Sequence, residues 1–337
     1  MRKIIALSLF VCSALFLASC GLKSNKQIAG DEDYWRDSAS FTETALMLKY
    51  DTVKVPGKLV VPKSQTDVPL VVFQSFTDED MSFSDNKPLR DMAYGLARNG
   101  IASFRYASQQ TIYHKDEIMV DSIIRSPKSE VMDGMAAAVD LIKDFPGIDK
   151  SRIFISGFGV NAQFVPWLAS KRNDVRGMFL LQAYARSFPD IWLDAMKAMA
   201  RQDSLVAKML PEYERQYQNA VRAGTESFDK SVRLPFGNEK IWNDYREARS
   251  LEHLDSISIP ALVLLCRPEI TFSQKEYDLW KETLAGRKDS ECKQYMDLCS
   301  IFLNAKELES KETRLKEHHV PLFVMNDMAE WIKQVSE

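Results

Sequence analysis

The stretch Arg152–Ala169, RIFISGFGVNAQFVPWLA, joins an apolar run, a glycine turn and a helical pattern. A strand–turn–helix of this build holds one side chain exposed on a sharp bend. When that residue is Ser in a Gly-x-Ser-x-Gly pattern, it can act as a nucleophile in acyl transfer. Here the turn reads Gly157-Phe158-Gly159-Val160-Asn161, with glycine in the central place. Gly159 carries no atom that can attack. Ser156 ends the preceding run, at a position expected to face packing. Cys266 and Cys299 fall near the carboxyl ends of apolar runs. A thiolate beside a His would be a competent nucleophile there, and the plainer reading is an inert core thiol. His318 and His319, in LKEHHVP, are expected in a structural or surface role rather than as a base. His114 and His253 sit among charged residues and are expected at the surface. Asp78, Glu79, Asp80 and Asp85 have cation-binding chemistry, with hydration on a loop as the plainer reading. No metal site and no cofactor are predicted.

Elements must position these groups. Pro69–Gln74, Ile101–Arg105, Arg152–Ser156, Gly177–Gln182 and Ala261–Cys266 are short apolar runs. Most are apolar without interruption, as expected of strands covered on both faces. Helical patterns lie between them. KPLRDMAYGLARNG places Leu89, Met92, Ala93 and Leu96 on one face and closes at Gly100. The next begins with a predicted Ser126 cap and Pro127, then repeats Val131, Met135, Ala138, Val139 and Ile142. This alternation predicts an α/β fold, a mostly parallel sheet with helices on both faces. Thr44–Val61, with Pro56-Gly57 as its turn, reads as an antiparallel hairpin at the sheet edge. The stretch between Gln182 and Ala261 exceeds what a crossover needs. Residues 188–256 are therefore expected to form a helical cap insertion. Its Trp192 and Met196 are either core of the cap or, together with Phe158, candidates to line a pocket.

Charge and composition exclude some classes. The 337 residues are 45% hydrophobic and 27% charged, as in a folded globular protein, and a net charge of −3 gives no reason to expect nucleic-acid binding. Residues 1–19 read as a signal peptide: Arg2 and Lys3 precede an apolar run, Ile4–Leu17, too short for a typical membrane span. The run ends in Leu17-Ala18-Ser19-Cys20, which resembles a bacterial lipobox and implies cleavage before Cys20 and acylation of its thiol. A lipid bilayer is then a partner through Cys20, without a spanning helix. Gly21 follows the cysteine, and by resemblance to enterobacterial sorting this implies the outer membrane, facing the periplasm. Residues 20–43 are read as a tether. Of the cysteines left after processing, Cys292 and Cys299 are close enough in sequence for a bridge, and Cys266 is then unpaired.

Several segments occur together in order. Asn86–Tyr106, Ile148–Gly159, Leu234–Arg246, Ile259–Leu284 and His318–Ile332 resemble the α/β-hydrolases of the secreted acyl-esterase type, over about residues 45–335. The resemblance implies the α/β-hydrolase fold. It divides the chain into a core of residues 44–187 and 257–337 with the 188–256 insertion between. It also places the triad: Gly159 stands at the nucleophile, Ser300 at the base and Glu269 at the orienting acid. Ser cannot accept a proton near neutrality. The oxyanion segment after the strand reads Gln74-Ser75-Phe76-Thr77 where the family has glycines, and Val160 is the residue after the elbow. These departures gather at the chemical positions, so the expected function is a catalytically inactive pseudoenzyme. It would bind a small apolar ligand or an envelope protein partner, or serve as a scaffold. The alternative is an esterase or acyl hydrolase of small esters with Cys266 or Cys299 as nucleophile.

Overall fold

The computed structural model describes residues 34–36, 39–50, 52–63, 65–109, 126–270 and 272–336. The signal segment, Cys20 and His114 lie outside them. Eight strands form one sheet: β1 (Phe41–Tyr50), β2 (Val53–Pro62), β3 (Val68–Gln74), β4 (Ala102–Tyr106), β5 (Ile148–Phe158), β6 (Gly177–Leu181), β7 (Ala261–Cys266) and β8 (Glu291–Tyr295). Their spatial order is β1-β2-β4-β3-β5-β6-β7-β8. β1 pairs with β2, and β2 with β4, antiparallel; from β4 to β8 every pair is parallel. This is the doubly covered sheet that the uninterrupted apolar runs require: every residue of β3, β4, β6 and β7 is buried. β8, with the sequence ECKQY, is the polar edge strand, which discourages pairing with another sheet.

Alternate residues of the strands feed two cores. On one face Leu70, Val72, Ile153, Ile155, Leu180, Val263 and Leu265 meet Met135, Ala138 and Val139 of helix α2 (Pro127–Ile142). On the other, Val71, Phe73, Phe154, Phe179, Leu262 and Leu264 meet Leu89, Met92 and Leu96 of α1 (Pro88–Arg98). Met325, Met328 and Trp331 of the C-terminal helix Leu322–Ser336 complete this second core. Ser126 caps α2, its hydroxyl accepting from the Ser129 N–H at 3.2 Å. The same hydroxyl donates to Asp244, fastening the start of α2 to the helices between β6 and β7.

Two expectations are corrected. Pro56-Gly57 is not the hairpin turn. Both residues lie inside β2, where Gly57 pairs with Leu46 on one side and Tyr106 on the other. The chain reverses between Tyr50 and Val53 instead. Glycine is needed at 57 because a Cβ there would sit 2.6 Å from the Phe104 ring. Nor does the tether extend to residue 43. Tyr34 is fully buried and donates its hydroxyl to the Val320 carbonyl, and Trp35 stacks on His319 with ring centroids 3.8 Å apart. Aromatic side chains in an otherwise polar stretch have found apolar cover.

Between β6 and β7 lie four helices, α4 (Phe188–Ala200), α5 (Ser204–Ala220), α6 (Glu239–Ala248) and α7 (Ser250–Asp255); α3 (Val165–Ala169) follows the elbow. Trp192, Met196, Ile241, Trp242 and Tyr245 form their own apolar cluster, which takes in Phe164 from the segment after Gly159. Phe164 packs against Tyr245 with centroids 5.8 Å apart, so the insertion rests on the elbow.

Candidate active site

β5 ends at Phe158, and the chain turns at Gly159 with φ +59 into a 3-10 helix spanning Gly159–Phe164. The left-handed backbone of a nucleophile elbow is therefore kept. Glycine adopts it without strain, and it disfavours any other residue. Among the described residues, nothing comes within 4 Å of a Cβ built on Gly159. Gly157, two residues earlier, has the opposite surroundings, with Ala162 Cα 2.6 Å from the place of its Cβ.

Three segments meet this elbow. Phe158 packs against Phe76 of the β3 loop and against Phe302 of the loop after β8, each with centroids 5.8 Å apart. Gln74, at the end of β3, accepts a hydrogen bond from the Asn161 side chain at 3.0 Å. Ser75 is not free to receive an oxyanion: its N–H donates to the Tyr106 carbonyl at 3.1 Å, and its hydroxyl accepts from Thr77 N–H. Phe76 is half-buried, with its ring in the aromatic layer rather than over Gly159.

Glu269 and Ser300, which the resemblance sets at the acid and base positions, are in contact. The Ser300 N–H donates to the Glu269 carboxylate at 3.2 Å. Burial pushes the Glu269 carboxyl above its usual range, and the Ser300 N–H, the Arg267 charge and the Ser300 hydroxyl only partly offset it. The loop is pinned by the Glu269 N–H to the Phe272 carbonyl at 2.7 Å. Ser300 itself is 1% exposed, inside the tight turn Cys299–Leu303.

The thiols are poorly placed for attack. Cys266 is fully buried and burial holds its thiol well above the ordinary range. Cys299 is pushed up to about 11 by burial. Cys292 lies apart on β8 and is a free thiol, as are the other two, so the Cys292–Cys299 bridge does not form. Ser156 is 1% exposed inside the β5 ladder, which removes it as a nucleophile.

The remaining candidates are held elsewhere. His318 binds Glu307 and the Thr313 carbonyl, and His319 binds Asp91 at 3.1 Å. His253 stacks on Trp167. Asp80 is taken up by Arg105 and Lys58, Glu79 by Lys58, and Asp78 accepts from the Ser82 N–H. The three pocket candidates separate: Phe158 belongs to the sheet core, whereas Trp192 and Met196 are core of the insertion.

Sequence reasoning missed several residues. Gln182, at the carboxyl end of β6, has φ +48 and accepts from the Cys266 N–H at 2.8 Å, binding the ends of β6 and β7 together. Gln163 donates its amide to the Arg186 carbonyl, joining the elbow to the start of α4. The buried Glu276 accepts from the Ala185 N–H at 2.8 Å and from Arg186 Nε at 2.7 Å. Only Gln182 left a signal, as a polar residue closing an apolar run.

This sheet order, elbow and carboxyl-edge loop arrangement define the α/β-hydrolase fold. Esterase EstD of Thermotoga maritima is 24% identical over 281 residues, which cover 82% of this chain; the chain spans 65% of that protein's length. Solved structures that share the fold include Est1E from Butyrivibrio proteoclasticus, at 14% identity and TM-score 0.54 over 87% of this chain and 98% of that one. The acetyl xylan esterase from Paenibacillus sp. R4 aligns at 13% identity and TM-score 0.55, over 97% and 94% of the two chains. No family model matches. The esterase homology overturns the expectation of an inactive ligand-binding or scaffold protein: a relative similar in sequence over most of the chain is a named esterase.

Proposed function

We propose that the protein is a carboxylic-ester hydrolase of small esters, acting over Gly159 with a reacting group other than an elbow serine. The observation that carries this is the left-handed elbow at Gly159, with no described residue within 4 Å of a Cβ there, in a chain homologous to an esterase. Of the groups at the positions that the resemblance assigns to the site, Glu269 is suited to the role of base. A carboxylate raised toward neutrality is a better proton acceptor at physiological pH than an ordinary one. The thiols are not suited: with a pKa of about 11, Cys299 is thiolate in roughly one molecule in 10⁴ at neutral pH.

The proposed step has a water oxygen attack the ester carbonyl carbon while its proton passes to Glu269. The C=O electron pair moves onto oxygen. Collapse of the tetrahedral intermediate breaks the C–O bond, and the proton returns from Glu269 to the leaving alkoxide. The N–H groups of Val160 and Phe76 are the proposed oxyanion donors, since that of Ser75 is occupied. The Ser300 hydroxyl touches Glu269 and is the second candidate attacker.

The test is hydrolysis of short 4-nitrophenyl esters by the wild type and by Glu269→Gln, Cys266→Ala and Cys299→Ala. We expect turnover above buffer, retained in both cysteine variants and reduced about 10²–10⁴-fold in Glu269→Gln. Labelling by a fluorophosphonate would identify Ser300 as nucleophile instead of water. Absence of turnover, or turnover indifferent to Glu269→Gln, sinks the proposal.

The envelope location is likewise proposed: Cys20 in the Leu17–Cys20 lipobox is acylated and holds the hydrolase on a membrane. Among the described residues no helix is long and apolar enough to cross one. Replacing Cys20 by Ser should abolish incorporation of labelled palmitate and release the chain from the membrane fraction. Unchanged incorporation argues against it.

A further inference from the structure

A cleft of about 290 Å³ lies between α4 and the loop that follows β7. Its walls are Arg186, Asp194, Lys197 and Arg201 on one side, with Ile191, Ala198, Ile270 and Ser273 supplying apolar surface and one hydroxyl. Two of its residues connect to the segments of the proposed reaction centre. Ile270 directly follows Glu269, and the Arg186 carbonyl accepts the amide of Gln163, four residues beyond Gly159.

The charges in this cleft are unequal. Arg186 is already neutralised, by Asp194 at 2.6 Å and Glu276 at 2.7 Å. Lys197 makes only a 3.5 Å pair with Glu214, in which both side chains are more than 40% exposed. Such a pair is worth little and is easily exchanged for another anion. Arg201 is exposed and has no ion-pair partner among the described residues. Two cations are thus available above an apolar floor made by Ile191, Ala198 and Ile270. A neutral substrate would leave them unused.

We propose that this cleft takes the carboxylate end of the substrate, and that the substrates are small esters carrying a carboxylate on a short apolar stem. The stem covers the isoleucines, and the carboxylate meets Arg201 and Lys197. Arg suits a carboxylate because its planar fork donates two parallel hydrogen bonds. The proposal rests on the ester-hydrolase reading for what happens to the bound molecule, and not for the binding itself.

The experiment has two arms. Succinate is titrated calorimetrically into the full-length wild type and into Arg201→Glu and Lys197→Glu. Separately, KM is measured for 4-nitrophenyl hydrogen succinate and for 4-nitrophenyl butyrate, esters with acyl groups of four carbons. The wild type is expected to bind succinate, and each charge reversal to weaken it about tenfold or more. The ratio of the two KM values should shift by a similar factor against the anionic ester. Absence of succinate binding, or equal binding by wild type and both variants, overturns the cleft proposal even if both esters are hydrolysed. If neither ester is hydrolysed while succinate binding shows the expected charge dependence, the cleft stands and the hydrolase reading falls. Near-unchanged melting temperatures are expected for Arg201→Glu, an exposed position, so loss of binding there is not loss of fold.

Discussion

At the scale of residues, the role proposed for Glu269 ties activity to stability. Its carboxyl has a folded pKa above the unfolded value, so the native state favours the protonated form. The ionised form therefore costs stability. That cost is absent below the unfolded pKa, grows as pH rises through the folded pKa, and is complete above it. Glu269→Gln should thus melt higher than the wild type at pH 8 and close to it at pH 4, while losing turnover. Thermal melts at the two pH values check the sign. A variant less stable at pH 8 than at pH 4, relative to wild type, would contradict the assignment of burial as the cause. Gly159 gives the complementary prediction. No described residue lies within 4 Å of a Cβ there, so Gly159→Ser is expected to cost about 1–2 kcal/mol, through its left-handed backbone. Combined with Ser300→His, it should add fluorophosphonate labelling on the elbow peptide, at the introduced hydroxyl, where the wild type has no group to label. Absence of labelling in a folded double variant would mean that the elbow no longer aims its side chain at the cleft.

At the scale of elements, the strands and α2 were legible because their signals are local. Unbroken apolar runs announced β3, β6 and β7, and Ser126-Pro127 announced the start of α2. Ser126→Ala should lower stability by about 1–2 kcal/mol, since it removes both the cap and the hydroxyl bond to Asp244. Denaturant midpoints measure this, and a change under about 0.5 kcal/mol would mean that the cap is redundant. The hairpin was misread because Pro-Gly is a turn signal by sequence alone. What decides Gly57 is a tertiary neighbour, the Phe104 ring, 2.6 Å from where a Cβ would sit. Gly57→Val should accordingly destabilise the sheet edge by about 1–3 kcal/mol or more. The same reason hid Asn161, Gln163 and Glu276. Their partners lie 87, 23 and 91 residues away, and no periodicity records that.

At the scale of the whole molecule, the order of strands and helices was readable, but the activity was not. The substitutions at Gly159 and Ser300 suggested a lost enzyme, because the expected chemistry was tied to two side chains. The structure keeps what those side chains stood on: the left-handed elbow, clear of the described residues above it, and a raised carboxylate beside the turn at Ser300. The insertion closes on this edge through Phe164 and Tyr245 and brings the cationic wall of the 290 Å³ cleft with it. A hydrolase in which water is activated by one buried carboxylate needs that whole arrangement, and its rate should report the carboxylate's ionisation. The pH dependence of kcat/KM for 4-nitrophenyl acetate, measured on the wild type beside Glu269→Gln, tests this most directly. The account predicts turnover whose acid limb lies above the ordinary carboxylate range and disappears in Glu269→Gln. No turnover at any pH, or the same profile in both proteins, would contradict it.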